Sequence, residues 1–237
     1  LYKEVVNFFD KINKNGELTR MIEKAYVHVD NLNYVGTIVF RRHIAKRLPA
    51  FEDLFREAAR KNNLDWRMLA AIGYQESLWN PKAVSPTGVR GLMMLTQKTA
   101  SDMGIKNRLD PKGSIDGGAK YYALTHKRIP KQIKEPDRTW MALAAYNVGF
   151  GHLEDARKIT EQRGLDPDKW IDVKTSLPLL AQRKWYKKTK YGYARGWEPV
   201  RYVENIRSYY DILSRDEDID YQETPDPDVF QIMPNVL

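Results

Sequence analysis

An all-α protein is predicted by three features of the sequence. No segment sustains the alternation of apolar and polar residues that a half-buried strand requires. Several segments instead repeat apolar residues at intervals of three and four, which is typical of helices packed on one face. Pairs of Gly, Pro and Asn follow these segments and are expected to end them. With 237 residues, 42% of them apolar, the chain can bury one core and has room for an additional segment.

Three short helices are predicted before residue 49. The first is amphipathic and ends near Asn15-Gly16, the second runs from Glu17 to about Val29, and the third from about Val35 to Leu48. Three such helices make only a thin core. We therefore interpret residues 1–48 as the end of a preceding domain plus a connecting helix, with a simple helical extension as the alternative. Because the chain begins with Leu1 and not Met, it is expected to be a piece of a longer protein.

The main helical module is predicted over residues 49–215. Pro49 is suited to the first turn of a helix that reaches about Asn62. Asp65 is expected to cap the next helix, and Asn80-Pro81 to end it. Further helices are predicted at Thr96–Met103, Ile115–Ile129, Arg138–Tyr146 after a cap at Asp137, and from Glu198 through Leu213.

The net charge of +8 favours an anionic partner, such as nucleic acid, an acidic membrane surface or carboxylate-rich cell wall. Six basic and four aromatic residues are concentrated in Arg183–Arg195. From composition, this segment could be a solvated loop, a glycan-binding surface or a grip on single-stranded nucleic acid. Residues 216–237 contain no basic residue and are predicted to form an acidic, proline-containing tail.

Several kinds of site are not supported by the sequence. There is no cysteine, so neither a disulfide nor a thiolate–metal site can form. The four histidines lack the spacing of metal ligands, and no metal or organic cofactor is expected. No apolar run approaches the roughly 20 residues of a membrane-spanning helix, so no transmembrane segment is expected.

Glu76 is the candidate catalytic residue. It follows Leu69 and Ile72 at a spacing that places all three on one helical stripe, so a carboxylate points where an apolar side chain is expected. Burying an unpaired carboxylate is costly, and desolvation raises its pKa toward the range useful to a general acid. An ordinary ion pair with Arg67 or Arg90 is the alternative interpretation.

The residues that follow Glu76 form a longer motif. They read ES-x-WNPKA-x-SP-x-G from position 76, then GLM at 91–93. This pattern resembles the opening signature of the lytic transglycosylases of glycoside hydrolase family 23, which have a lysozyme-like fold. The resemblance implies that Glu76 is the single catalytic acid and base, that Ser85 helps to place substrate and glutamate, and that the GLM residues, including Met93, line the glycan groove. Met94, also assigned to substrate binding, stands where most members carry glutamine.

Two later stretches resemble further motifs of the same family. They are AAYNVG at 144–149 and EPVRYVENI at 198–206. The resemblance implies that Tyr146 hydrogen-bonds Glu76, that Asn147 faces the bound sugar, and that Tyr202 lies near the glutamate. From the residues alone, both tyrosines could instead be core residues, and Asn147 a helix stop.

The resemblance also implies a function. Family members cleave the β-1,4 bond between N-acetylmuramic acid and N-acetylglucosamine and form 1,6-anhydromuramic acid ends, with one glutamate acting first as acid and then as base. Glu76 is the one candidate for this acid and base role in the sequence, whereas ordinary glycosidases use two carboxylates. Peptidoglycan strands and muropeptides are the expected partners. A lysozyme-type hydrolase and a non-catalytic peptidoglycan-binding protein are the alternatives, and nucleic acid is not expected to be the partner.

The same resemblance extends to the chain's setting. The sequence INKNGEL at 12–18 resembles the final helices of solute-binding domains, which one branch of the family joins to its catalytic module. Residues 1–48 are therefore expected to close such a regulatory domain, most of which would lie upstream. The expected location is the periplasm, at the inner face of the outer membrane.

Overall fold

The computed structural model describes residues 34–86 and 88–215, and this part of the chain is helical. Its only extended pairings are two isolated bridges, in which Arg90 faces Val84 on one side and Leu95 on the other. The predicted all-α class is confirmed. The two helices predicted before residue 34 and the predicted acidic tail lie outside the described residues.

The helices are numbered here in chain order within the described residues. They are α1 (Tyr34–Lys46), α2 (Glu52–Asn62), α3 (Trp66–Ser77), α4 (Gln97–Asp102), α5 (Pro111–Arg128), α6 (Asp137–Val148), α7 (Phe150–Gln162), α8 (Trp170–Ser176), α9 (Arg183–Tyr186) and α10 (Trp197–Arg215). Two 3-10 turns lie between them, at Leu48–Ala50 and Leu177–Ala181. None of these helices is both long enough and apolar enough to cross a bilayer.

Helix α3 lies inside the protein, with α2 and α10 packed directly against it. As predicted, Asp65 caps it by accepting a hydrogen bond from the backbone NH of Arg67. Every residue from Met68 to Tyr74 is buried. Gly73 permits the close approach of α2, because a Cβ atom at this position would lie 2.9 Å from the ring of Phe55.

Helix α1 shares the core of the main module. Phe40 is fully buried, and its ring lies 4.5 Å from that of Tyr74 and 4.7 Å from that of Tyr209, measured between centroids. His43 Nδ1 lies 2.9 Å from the Tyr74 hydroxyl, and Arg47 donates to the backbone carbonyl of Leu78 at 2.8 Å. The connecting helix therefore packs against the helix that carries Glu76, across the boundary placed after residue 48.

The end of α3 differs from its prediction. The helix ends at Ser77 and not at Asn80-Pro81, because Leu78 and Trp79 take left-handed backbone conformations with φ of 52° and 54°. This turn folds the Trp79 indole back onto α3, where it is buried and donates to the carbonyl of Ala70 at 2.8 Å. Burying an indole with its NH satisfied offsets the strain of the turn.

Two other helix starts also differ from their predictions. Asp137 lies inside the first turn of α6 and makes no side-chain cap there. Its carboxylate instead accepts bonds from the backbone NH of Trp170 and the ammonium of Lys169, which ties α6 to α8. Helix α5 begins at Pro111, capped by Asp110, and so starts earlier than the predicted Ile115.

Replacing Phe40 with alanine tests whether α1 belongs to this folding unit. Because the ring is fully buried among aromatic neighbours, Phe40→Ala is expected to lower the free energy of unfolding by about 3–5 kcal/mol. Urea denaturation at constant pH measures the change. Leu124→Ala is the control, since Leu124 is 48% exposed and its loss should change stability little. Equal effects of the two substitutions would show that α1 does not stabilise the core.

Candidate active site

Glu76 lies in the last turn of α3 and faces Tyr202, in the second turn of α10. The Tyr202 hydroxyl donates to Glu76 Oε1 at 2.6 Å. Burial raises the pKa of the Glu76 carboxyl to about 7, and the hydrogen bond from Tyr202 opposes this rise because it favours the charged form. The carboxyl can therefore hold or release a proton near neutral pH, as a group that serves both as acid and as base must do.

Tyr146 lies beside this pair. Its ring is stacked on that of Tyr202, with centroids 6.4 Å apart and planes 17° apart. Burial and the proximity of Glu76 raise the pKa of the Tyr146 phenol well above its usual value. Its hydroxyl is buried and has no hydrogen-bond partner among the described residues. The expected bond from Tyr146 to Glu76 is therefore wrong for this structure, because α10 brings the hydroxyl of Tyr202 to the carboxylate instead.

Two serines form hydrogen bonds with the backbone of the GLM segment. Ser77, the residue after Glu76, donates from Oγ to the carbonyl of Leu92 at 2.8 Å. Ser114 Oγ accepts from the backbone NH of Met93 at 3.0 Å. Gly91 has φ of 91°, and a Cβ atom there would lie 2.3 Å from the carbonyl oxygen of Arg108, so only glycine fits. Sequence reasoning missed Ser114, since a serine near the start of a helix carries no distinctive signal.

The side chain of Met93 does not line a groove. It is fully buried, and a Cβ atom on Gly118 would lie 2.7 Å from its methyl group, so the absence of a side chain there makes room for it. The expected contact between the Met93 side chain and glycan is corrected accordingly, because no surface is left for a ligand. The next residue, Met94, is half-buried and has φ of 47°, so this turn leaves part of Met94 accessible.

Ser85 lies in the loop after α3, and Asn147 directly follows Tyr146 in α6. Ser85 closes the loop after α3, since its Oγ accepts from the NH of Val89 and its own NH donates to the carbonyl of Val89. Asn147 is exposed near the end of α6, one residue after Tyr146. Their contacts with substrate, and that of Met94, stay predictions.

No neighbouring charge contributes to the pKa shift of Glu76. The two causes are burial and the hydrogen bond from Tyr202. Two carboxylates sharing a site would raise each other's pKa by repulsion. Within the described ranges 34–86 and 88–215, no group of three or more His, Asp or Glu residues could hold a metal ion.

Comparison with known proteins places this site in a family. Residues 53–169 match the family model described as "Transglycosylase SLT domain". The chain is 61% identical over 214 residues to the membrane-bound lytic murein transglycosylase F of Ectopseudomonas mendocina, covering 90% of this chain and 44% of the relative. It is also 61% identical over 208 residues to the protein of that name from Marinobacter nauticus, covering 88% and 41%. The chain thus spans less than half the length of the curated relatives it matches.

The solved structures that resemble this chain share its fold. The lytic transglycosylase Slt of Pseudomonas aeruginosa superposes with a TM-score of 0.51 at 25% identity, over 70% of this chain and 24% of that one. The 70-kDa soluble lytic transglycosylase of Escherichia coli gives the same score and coverage at 24% identity. The helical architecture around Glu76 therefore belongs to the lysozyme-like fold class. Within that class, residues 53–169 of the chain belong to the transglycosylase SLT domain family.

Removing the Tyr202 hydroxyl should change the titration of Glu76. In Tyr202→Phe the carboxylate loses its donor, so the pKa of Glu76 is expected to rise further above about 7. The ¹³C chemical shift of the carboxyl, followed by NMR against pH, measures it. Tyr146→Phe is the matched control: its hydroxyl makes no bond to the carboxylate, so it should move the pKa less. A larger shift in Tyr146→Phe than in Tyr202→Phe would contradict this assignment.

The raised pKa also predicts how stability depends on pH. Because the pKa of Glu76 is about 7 in the folded protein and 4.5 in the reference state, the folded state holds the proton more tightly, and this group lowers stability as pH rises from about 4.5 to 7. Glu76→Gln removes that titration and keeps an oxygen acceptor for Tyr202. At pH 8 the variant should exceed the parent in free energy of unfolding by on the order of 3 kcal/mol. Urea denaturation of both proteins at pH 4 and pH 8 tests this; a constant difference would contradict it.

Proposed function

We propose that the chain is a peptidoglycan lytic transglycosylase that cleaves the β-1,4 bond between N-acetylmuramic acid and N-acetylglucosamine. The observation that carries this proposal is the half-buried Glu76 carboxyl, which has a pKa of about 7 and accepts a hydrogen bond from Tyr202. A carboxyl in this range is protonated often enough to act as a general acid at neutral pH and still accepts a proton afterwards. The names of the relatives and the SLT domain support the same activity.

In the proposed reaction, Glu76 first protonates the glycosidic oxygen. The bond from that oxygen to C1 of the muramic acid breaks, and the N-acetyl group of the substrate stabilises the positive charge that develops at C1. The Glu76 carboxylate then accepts the proton of the C6 hydroxyl as its oxygen bonds to C1. The products are a 1,6-anhydromuramic acid end and a free 4-hydroxyl, and no water is consumed.

Tyr202 has a positioning role in this proposal. The packing of α10 against α3 holds its hydroxyl at Oε1. We propose that the other carboxyl oxygen faces the substrate. The bond also stabilises the carboxylate that exists between the two steps, which keeps the pKa from rising beyond the useful range. Ser85, Met94 and Asn147 are proposed to contact the glycan from the loop after α3 and from the end of α6.

The setting of the enzyme is proposed from the relatives. They are named membrane-bound, and this chain spans less than half of their length. We propose a periplasmic enzyme acting at the inner face of the outer membrane. In this proposal, residues 1–48 link an upstream regulatory domain to the catalytic module at 49–215, and residues 216–237 form a separate acidic segment.

Glu76→Gln should abolish cleavage while leaving the fold and glycan binding intact, because glutamine keeps the shape of the carboxyl but cannot transfer the proton. The measurement is mass spectrometry of fragments released from purified peptidoglycan by the parent and by the variant. The parent should release fragments ending in 1,6-anhydromuramic acid. Fragments heavier by one water would indicate a lysozyme-type hydrolase, and binding without fragments from the parent would favour a non-catalytic binding protein. Turnover by the variant would remove Glu76 from its proposed role.

A further inference from the structure

The basic and aromatic segment is an ordered part of the fold. We call residues 183–197 the basic–aromatic platform. Asp155, which is buried in α7, accepts hydrogen bonds from the backbone NH groups of Lys190 at 3.2 Å and Tyr191 at 2.8 Å. The Tyr191 ring lies over Gly151, where a Cβ atom would come within 2.8 Å of it. A buried carboxylate and a glycine thus fix the middle of the platform, which a solvated loop would not need.

The other end of the platform is fixed as tightly. Gly196 is buried against the backbone at Leu177, and a Cβ atom at this glycine would overlap the Leu177 carbonyl oxygen at 1.7 Å. Helix α10 begins at the next residue, Trp197, and carries Tyr202 in its second turn. On the other side, α7 follows directly after Gly149, which ends the helix that carries Tyr146. The platform therefore continues directly into α10, and it packs on α7, which follows the helix that carries Tyr146.

The platform presents aromatic rings to solvent. Tyr191 and Tyr193 are each 53% exposed, and Trp197 is 50% exposed. The ring of Tyr193 is braced by Tyr186, perpendicular to it with centroids 5.8 Å apart. Exposed rings held in place lose little conformational entropy on binding, which suits them to stack against a ligand.

The charge of the platform is positive. Its exposed lysines are Lys184, Lys187, Lys188 and Lys190. None of these forms an ion pair with a carboxylate in the described part of the chain, and the Lys190 ammonium lies 5.4 Å from the centroid of the Tyr191 ring. A cavity of about 290 Å³ opens between the platform and α7, lined in part by Trp185, Lys188 and Lys158. The lysines that line this cavity can neutralise an anionic group of a ligand that stacks on the exposed tyrosine rings.

A glycan strand that carries carboxylates matches both properties. Sugar rings offer apolar C–H faces to exposed aromatic side chains, and peptide stems on the strand offer carboxylates to the lysines. Single-stranded nucleic acid has the same two properties, with bases and phosphates. The glycan is favoured because the platform leads directly into α10, the helix whose Tyr202 bonds to Glu76.

We propose that residues 183–197 bind stem-bearing peptidoglycan strands beyond the bond that is cleaved, with Tyr191 and Tyr193 stacking on sugars and the lysines pairing with stem carboxylates. The inference rests on the proposed function and adds a second contact region to it. It assigns to the platform the retention of long strands, and leaves bond cleavage to Glu76.

The test measures binding in a Glu76→Gln background, so that the strand stays intact. Tyr191→Ala with Tyr193→Ala should weaken co-sedimentation with purified sacculi by about tenfold, the effect of losing roughly 1.4 kcal/mol of contact energy. Leu124→Ala is the control for loss of an exposed apolar side chain. Lys187→Ala with Lys188→Ala should weaken binding to sacculi but not to strands whose stems an amidase has removed, whereas the tyrosine pair should weaken both.

Thermal midpoints show whether each variant is folded. If the double tyrosine variant is unfolded, the single variant Tyr193→Ala replaces it, because the ring that lies over Gly151 is that of Tyr191. Unchanged binding in the folded variants would overturn the proposed role of the platform in strand binding. In that case, release of fragments by the parent would still support the proposed function. A parent that releases no fragments would instead overturn the proposed function. Tighter, salt-sensitive binding of a single-stranded oligonucleotide, lost in the same variants, would overturn the glycan assignment in favour of nucleic acid.

Discussion

The hydrogen bond from Tyr202 to Glu76 is the interaction on which the rest of the site depends. A carboxylate buried without a donor is expelled, protonated permanently or paired with a cation. A single phenol is a weaker partner than a cation, so it leaves the pKa of Glu76 raised to about 7. The arrangement needs α10 at a fixed distance from α3, and these two helices pack directly on each other. The surrounding elements keep α10 at this distance from α3.

The residues at the end of α3 fix the position of Glu76. Ser77 binds the backbone of the GLM segment, Leu78 accepts a bond from Arg47 of the preceding segment, and Trp79 folds back onto the helix. Each of these three residues therefore contacts a different part of the module. Left-handed backbone at two successive non-glycine residues is costly, and it persists because these contacts over-determine the turn. The carboxyl group is thus positioned by contacts from several directions.

What could be predicted from the sequence was mostly local. The all-α class and the cap at Asp65 follow from periodicity and side-chain chemistry within a few residues, and both are confirmed. The choice of Tyr202 over Tyr146 as donor could not be derived, because it depends on how α10, which is distant in sequence, packs against α3 and α6. The burial of Met93 depends likewise on space left by Gly118 in another helix. Roles taken from a motif describe which residues are close together, whereas the bonds between them are set by tertiary packing.

Helix α1 packs close to both partners of the Glu76–Tyr202 hydrogen bond. Its Phe40 packs on Tyr74, two residues before Glu76, and on Tyr209 of the helix that also carries Tyr202. A displacement of α1 would therefore act on both partners of the Glu76–Tyr202 hydrogen bond together. The donor–acceptor distance is 2.6 Å, and such bonds weaken steeply as they lengthen or bend. Because this bond opposes the effect of burial on the pKa of Glu76, any movement that weakens it would leave the carboxyl group protonated to higher pH and less able to act as the base of the proposed reaction.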